Sequence, residues 1–320
     1  MSYNIVIIGL GALGKRHLSS ILNSRLEMNI YCYDINHHAL DGFLYDDQFK
    51  NKTINMITSI DDIPSKIDFA LFAMTSKGRR EMFEVLIEKH TVKNVLFEKV
   101  LFQTIEDYEY VEKRLKELKI KAWVNCARRQ MDCYQNLRSK LKNAGEMQIH
   151  ISGGEWGLAC NAIHFIDLIE FLTNVDNTQV KELDFINNIY ESKRSGFKEV
   201  YGTIYGYNSK CSNFSITCLK NVSVPIVISI FSDVGNYIVI EGKQKLIYMT
   251  KDSGFELREE TFEIPYQSQM TQFVLEDILL CGSSRLADFA TSSRLHLQYI
   301  VPLIKFFNDN GWEEKSCPIT

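Results

Sequence analysis

Asn4-Ile5-Val6-Ile7-Ile8-Gly9-Leu10-Gly11-Ala12-Leu13-Gly14 is the stretch from which the fold is read. A short β-branched apolar run, Asn4 to Ile8, meets glycines at Gly9, Gly11 and Gly14. Ala12 to Leu26 then carries helical spacing, with Leu13, His17, Ser20 and Ile21 on nearby faces. Ile30 to Tyr33 reads as a second strand and ends in Asp34. In a strand–turn–helix of this kind the first glycine allows the tight turn. The second lets backbone approach a pyrophosphate, and the third lets helix and strand pack closely. The helix N-terminus offers free N–H groups and positive dipole charge to the phosphates. Gly9, Gly11, Ala12, Leu13 and Gly14 are therefore expected to cradle a dinucleotide. Asp34 lies 20 residues beyond Gly14; a carboxylate there accepts hydrogen bonds from ribose hydroxyls and repels a 2′-phosphate. No Arg or Lys occurs in Ile35-Asn36-His37-His38, so the spacing predicts NAD and disfavours NADP, although either histidine could reach the adenine end. FAD uses the same fingerprint, but the rest of the chain argues against it.

Outward from this motif, strand and helix patterns alternate. Phe69 to Met74 is a fully apolar strand, Gly78 to His90 a helix, and Asn94 to Phe97 a strand. Thr104 to Lys119 reads as a helix opened by a Thr cap, with Glu106 and Asp107 in its first turn, and Ala122 to Val124 starts another strand. This repetition implies a doubly wound, mostly parallel sheet. After about residue 126 the pattern changes. Helical stretches at Met131–Asn143 and Leu158–Leu172 flank a strand at Met147–Ser152. Strand-like runs then follow in succession between Val180 and Met249, and helices at Gln269–Leu280 and Ser292–Phe307 close the chain. The expected organisation is α/β: a Rossmann domain over 1–125, and an α+β domain over 126–320 with a large, mostly antiparallel open sheet. The last helix is left open to pack back on the first domain.

The composition bounds the function. The chain has 320 residues, 45% hydrophobic and 24% charged, which excludes a disordered chain. A formal charge of −4 gives no broad field for gripping nucleic acid. No apolar run approaches the length of a membrane span, and Met1-Ser2-Tyr3-Asn4 has no basic start of the kind that opens a signal peptide. The 8 cysteines form no CxxC pair, so reduced, mostly buried thiols in a cytoplasmic protein are expected. No HExxH or zinc-type spacing occurs among the 7 histidines, and no metal site is expected.

The strand Asn94 to Phe97 runs into Glu98-Lys99. Ligands of doubly wound sheets sit outside the carboxyl ends of strands, so a lysine there can point into the cofactor crevice. From position alone, a surface lysine in a strand-to-helix loop is the simpler reading. Together, Gly9 to Gly14 with Lys15-Arg16-His17, the strand end Ala73-Met74-Thr75-Ser76, Glu98-Lys99, and Gly153 to Gly157 followed by His164-Phe165-Ile166-Asp167 resemble the Gfo/Idh/MocA oxidoreductases along nearly the whole chain. The resemblance implies a Rossmann domain followed by an open-sheet domain that often forms an oligomer interface, here a homodimer or homotetramer. It also implies that Thr75, Glu98 and Lys99 join the cofactor site.

Two departures stand out. The family's Glu-Lys-Pro reads Glu98-Lys99-Val100, and the Asp that the family places four residues before its His is Cys160 here, followed by Asn161. By resemblance, Lys99 contacts the nicotinamide ribose and the substrate hydroxyl, where an ammonium favours negative charge developing on that oxygen. His164 is the expected substrate-side acid/base. Asp167, three residues on, shares its helix face and could orient it. Arg129 is read as a contact for a phosphate or carboxylate on the ligand, Asn161 as a hydrogen-bonding substrate contact, and Trp156 as a ring that stacks on a sugar or simply packs. These expectations describe an NAD-dependent oxidoreductase acting on a hydroxyl or keto carbon of a sugar derivative, a nucleotide sugar or sugar phosphate for preference. Three alternatives stay open: a transient-redox enzyme with tightly held NAD and no net redox change, a non-catalytic NAD- and sugar-sensing protein, and an NADP-linked reductase of a non-sugar compound.

Overall fold

A computed structural model describes residues 2–39, 54–266 and 269–320. Its elements begin with β1 (Tyr3–Ile8), α1 (Ala12–Leu22), β2 (Met28–Tyr33), β3 (Ile54–Ile57), β4 (Lys66–Ile67) and β5 (Phe69–Phe72). Next come α2 (Arg79–Lys89), β6 (Thr91–Val92), β7 (Asn94–Phe97), α3 (Ile105–Glu117), β8 (Lys121–Val124) and α4 (Asp132–Lys140). The middle of the chain holds β9 (Met147–Gly154), α5 (Leu158–Thr173), β10 (Gln179–Phe185), β11 (Tyr190–Glu191), β12 (Lys198–Glu199), β13 (Gly202–Tyr207) and β14 (Cys211–Leu219). It ends with β15 (Val227–Ser232), β16 (Gly235–Ile240), β17 (Lys245–Thr250), β18 (Arg258–Thr261), α6 (Thr271–Cys281) and α7 (Phe289–Asp309). Two compact units result: Met1–Asn125 with Pro265–Ser292, and Cys126–Ile264 with Ser293–Thr320.

The first unit is built on a six-stranded sheet in the order β3-β2-β1-β5-β7-β8, with every pairing in it parallel. Its central strands are apolar on both faces; all of Phe69 to Phe72 is buried, as a sheet covered on both sides requires. Phe72, Phe83, Phe97 and Phe102 meet edge to face or tilted across β5, α2 and β7. Helix α3 starts on Thr104, whose hydroxyl accepts the Asp107 N–H, and carries Glu106 and Asp107 in its first turn. Helix α1 stops four residues short of the expected Leu26. Asn23 and Ser24 bond back to the carbonyls of Ser20 and Ile21, tightening and ending the last turn.

The segment Pro265–Ser292 corrects the expected boundary, which gave everything beyond residue 126 to one domain and left only the last helix to return. The returning helix is α6, the one before it. Its Val274, Leu275 and Ile278 share a core with Leu18, Ile21 and Leu22 of α1. Polar contacts fix the register: Ser24 donates to Glu276 at 2.6 Å, and the Gln272 N–H donates to Ser20 at 2.9 Å.

The second unit holds an eight-stranded sheet, β10-β13-β14-β9-β15-β16-β17-β18. Only β9 and β14 pair in parallel; the other neighbours in this sheet are antiparallel. Along β9, buried and exposed positions alternate, so one face looks inward. Helix α5, apolar along most of its length and almost wholly buried, packs on β9 and β14. Strand β18 escapes sequence reading because Arg-Glu-Glu-Thr has no apolar pattern; it is a charged edge strand pairing with β17. All eight cysteines are free thiols, with Cys281 exposed and Cys133 half-buried. Among the described residues no helix is long and apolar enough to cross a membrane.

Candidate functional site

The glycines of the first turn differ in what surrounds them. Gly9 has φ +93°, and a Cβ there would lie 2.5 Å from the Met74 nitrogen. A Cβ on Gly14 would lie 2.0 Å from the Gly9 carbonyl oxygen, so both positions are fixed by packing. Gly11 is the opposite: nothing stands within 4 Å of its would-be Cβ. Helix α1 starts there with no side-chain cap and no acidic residue in its first turn, so its exposed first turn suits an anion. Asp34 stands at the same end of the sheet. Its Oδ2 accepts the Leu10 N–H at 2.6 Å and its Oδ1 accepts the Asn36 N–H at 2.8 Å. The carboxylate is thereby tied to the glycine turn, while His37 and His38 are exposed. Because β1, β2, β5 and β7 run parallel, Gly9, Asp34, Thr75 and Lys99 all follow strand ends on one edge of the sheet. Strand order reverses between β1 and β5, the place where doubly wound sheets open a ligand crevice.

Lys99 is half-buried and Thr75 likewise. Glu98, expected beside them at the cofactor, has an internal role. Its carboxylate is buried and accepts from His17 Nε2 at 2.9 Å and from the Asn125 amide. His17 Nδ1 in turn meets Thr271 Oγ1 at 2.8 Å, so a polar chain runs from α6 through α1 to the end of β7. Burial alone pushes the Glu98 carboxyl up. The hydrogen bond and charge of His17, the Asn125 amide and the charge of Lys99 outweigh it and hold the group below the ordinary carboxylate value.

Arg79 is a site residue that no sequence motif marks. It is 1% exposed, and its guanidinium donates to the carbonyls of Glu98 (2.6 Å), Leu101 (2.8 Å), Val100 and Met74. One side chain thus ties together the loops after β5 and β7, including the turn that carries Lys99. The Lys99–Val100 peptide is cis without a proline. The one signal in the sequence is helical spacing, since Arg79 lies on the buried stripe of α2 with Phe83, Leu86 and Ile87.

In the second unit, His164 is half-buried on α5, one turn after the buried Cys160. The four side chains expected at the substrate are engaged within the unit. Arg129 Nε sits 2.9 and 2.8 Å from the two oxygens of Asp167. A buried guanidinium needs a counter-charge, and Asp167 supplies it to Arg129 within the unit. Burial pushes the Asp167 carboxyl up, against the pull of Arg129. Trp156 packs edge-on against Phe165 and donates its indole N–H to the Thr217 carbonyl at 3.1 Å. The Asn161 amide donates to the carbonyls of Trp156 (2.9 Å) and Gly157 (3.2 Å). Arg128, stacked on Phe165, makes a two-bond pair with Glu241, which also accepts from Tyr134.

Residues 3–126 match the family described as "Oxidoreductase family, NAD-binding Rossmann fold". They belong to the Gfo/Idh/MocA oxidoreductases. Solved structures share the fold at low identity. UDP-N-acetylglucosamine 3-dehydrogenase GnnA from Acidithiobacillus ferrooxidans is 14% identical, with 94% of this chain and 97% of that one covered, at a TM-score of 0.70. A super-repressor mutant of Gal80p from Saccharomyces cerevisiae is 14% identical over 96% of each chain, at 0.72. An oxidoreductase from Agrobacterium radiobacter in complex with NAD+, L-tartaric acid and magnesium is 13% identical over 93% and 94%, at 0.70. Comparison with curated protein sequences gives no match.

The residues of this Gfo/Idh/MocA unit fit a dinucleotide. Open space beside Gly11, the uncapped first turn of α1 and the anchored Asp34 supply room, amide donors and a carboxylate acceptor in the order pyrophosphate and ribose need. Lys99 adds a cation at the end of β7, two strands from β1 on the same edge of the sheet.

Proposed function

We propose that this protein is an NAD-dependent oxidoreductase acting on a hydroxyl or keto carbon of a sugar derivative. The observation that carries the reading is the open, uncapped Gly11 turn with Lys99 on the same sheet edge. The nicotinamide, when bound, supplies or takes the hydride. Lys99 polarises the substrate oxygen and helps position it, while His164 holds or moves its proton. Asp34 favours NAD over NADP, because its carboxylate, pinned by the Leu10 N–H, would repel a 2′-phosphate. A nucleotide sugar or sugar phosphate is the preferred subclass. Arg129, oriented by Asp167, is its candidate anion contact, and the fold shared with GnnA supports it.

A second reading, a non-catalytic NAD and sugar sensor, is favoured by Cys160 in place of the family's Asp and by the fold shared with Gal80p. A transient-redox enzyme would be recognised by NADH retained through purification. We assign the protein to the cytoplasm, in keeping with its eight free thiols. Self-association through the eight-stranded sheet is supported by its outward face. There Gln148, His150, Ser152, Ser215, Thr217 and Ser229 carry no formal charge, whereas the edge strands β10 and β18 are charged.

The test is a hydride-transfer screen with NAD, and separately NADP, against nucleotide sugars, sugar phosphates and free polyols. Turnover with one class supports the dehydrogenase. Silence across the panel with NAD binding confirmed refutes it in favour of the sensor or transient-redox readings. Lys99→Ala should lower hydride transfer at least about a hundredfold while NAD affinity changes much less. Equal loss of both contradicts the role given to Lys99.

A further inference from the structure

The helix that carries His164 begins without a cap of its own. Gly157, its N-cap, has φ +83°; no side chain caps it, and its first turn holds no acidic residue. The exposed amides are met from another strand. Glu199 of β12 accepts the Ala159 N–H, and the Val200 N–H at 3.0 Å, on one carboxylate oxygen. The backbone N–H and the thiol of Cys160 donate to it as well. A Cβ on Gly157 would lie 3.1 Å from the other oxygen, Oε2, so the glycine leaves the carboxylate its place. Glu199 is 5% exposed, and burial pushes its carboxyl up to about 6 even though the Val200, Ala159 and Cys160 bonds hold it down. Cys160 and His164 lie one turn apart on the same face of α5.

Resting on the reading of His164 as the substrate-side acid/base, we propose that Glu199 is its positioning carboxylate. Ionised, it grips the first turn of α5 through Ala159 and Cys160 and so sets the pose and protonation of His164 one turn further on. It supplies from β12 the negative charge that position 160 lacks. Protonation puts an O–H where an acceptor was needed, so one of the N–H or thiol donors loses its partner and the turn loosens. The titratable groups facing Glu199 are Cys160 on α5, Tyr201 beyond β12, Cys218 on β14 and Tyr299 on α7. Burial holds Tyr201, Cys218 and Tyr299 protonated, while Glu199 changes charge between pH 5 and pH 8.

The experiment is an NMR titration of the His164 ring in the full chain, its resonances identified by their loss in His164→Gln. The wild-type curve should carry a second inflection near 6, where Glu199 titrates. In Glu199→Gln that inflection should vanish, and the midpoint of His164 should fall by about half a unit or more. Superimposable curves overturn the proposal. Where thermal melts show that Glu199→Gln does not fold, Cys160→Ala takes its place: it removes only the thiol donor and should move the second inflection upward. An unmoved inflection overturns the proposal. With a turned-over substrate, the same inflection should appear in kcat and not in KM. The ring titration needs no turnover, so an inflection without activity supports the coupling and counts only against the dehydrogenase reading.

Discussion

Replacing Arg79 by methionine keeps most of the buried volume and removes every bond that the guanidinium makes. Four carbonyl acceptors, on Met74, Glu98, Val100 and Leu101, lose their donor together. Nη1 serves three of these carbonyls with two hydrogens, so about three charge-assisted bonds worth about 1.5–3 kcal/mol each are lost, a gross loss of roughly 4.5–9 kcal/mol. The buried guanidinium also carries a desolvation penalty of several kcal/mol that methionine does not. The net destabilisation expected for Arg79→Met is therefore about 3–5 kcal/mol, and urea unfolding should show a midpoint lower by about 1 M or more. Because the freed carbonyls belong to loops on the ligand edge of the sheet, NAD affinity of the folded variant should fall at least about tenfold, or 1.4 kcal/mol. Arg79→Lys, which can reach fewer of the carbonyls, should lie between. A methionine variant within about 1 kcal/mol of wild type that binds NAD normally would refute the clamp.

The glycine turn makes a contrasting pair. Gly11→Ala should leave stability within about 1 kcal/mol yet weaken NAD binding about tenfold or more, since its Cβ enters open space that only a ligand fills. Gly14→Ala, with its Cβ 2.0 Å from the Gly9 oxygen, should cost about 3 kcal/mol in urea melts with no ligand present. Equal effects of the two on stability would contradict the assignment. Glu199 makes a prediction for pH. Its folded value of about 6 lies above the ordinary 4.5, so between them the folded chain holds an extra proton. Its contribution to stability is full below about pH 4.5 and is lost as pH rises through about 6, with a span of about 2 kcal/mol. The stability of wild type minus that of Glu199→Gln should fall across this window, and a flat difference would refute it.

What can be read from the amino-acid order is local. Gly9 to Gly14 and Asp34 signal through spacing within one βαβ unit, and α5 through an apolar run, so both are legible in the chain itself. The engagements of Arg129 and Trp156 are hidden because their partners, Asp167 and the Thr217 carbonyl, lie 38 and 61 residues away. Arg79 and Glu199 are hidden for a different reason. Each reads backbone groups, and a backbone N–H or C=O has no letter in the sequence. Strand β18 lacks the alternation that betrays a half-buried strand. The return of α6 to α1 depends on which apolar faces meet, and periodicity shows a face without naming its partner.

That return has a consequence for synthesis. The apolar face of α1 leaves the ribosome early, but Val274, Leu275 and Ile278, which share its core, follow only after the whole of Cys126–Ile264 has been made. At about 5–20 residues per second the wait is on the order of thirteen to fifty seconds. During it the side of α1 that α6 later covers stands open on the nascent chain. The Rossmann unit is thus begun first but completed only after most of the second unit has been made, and a chain stalled or cleaved before α6 exposes an apolar face that chaperones and proteases recognise.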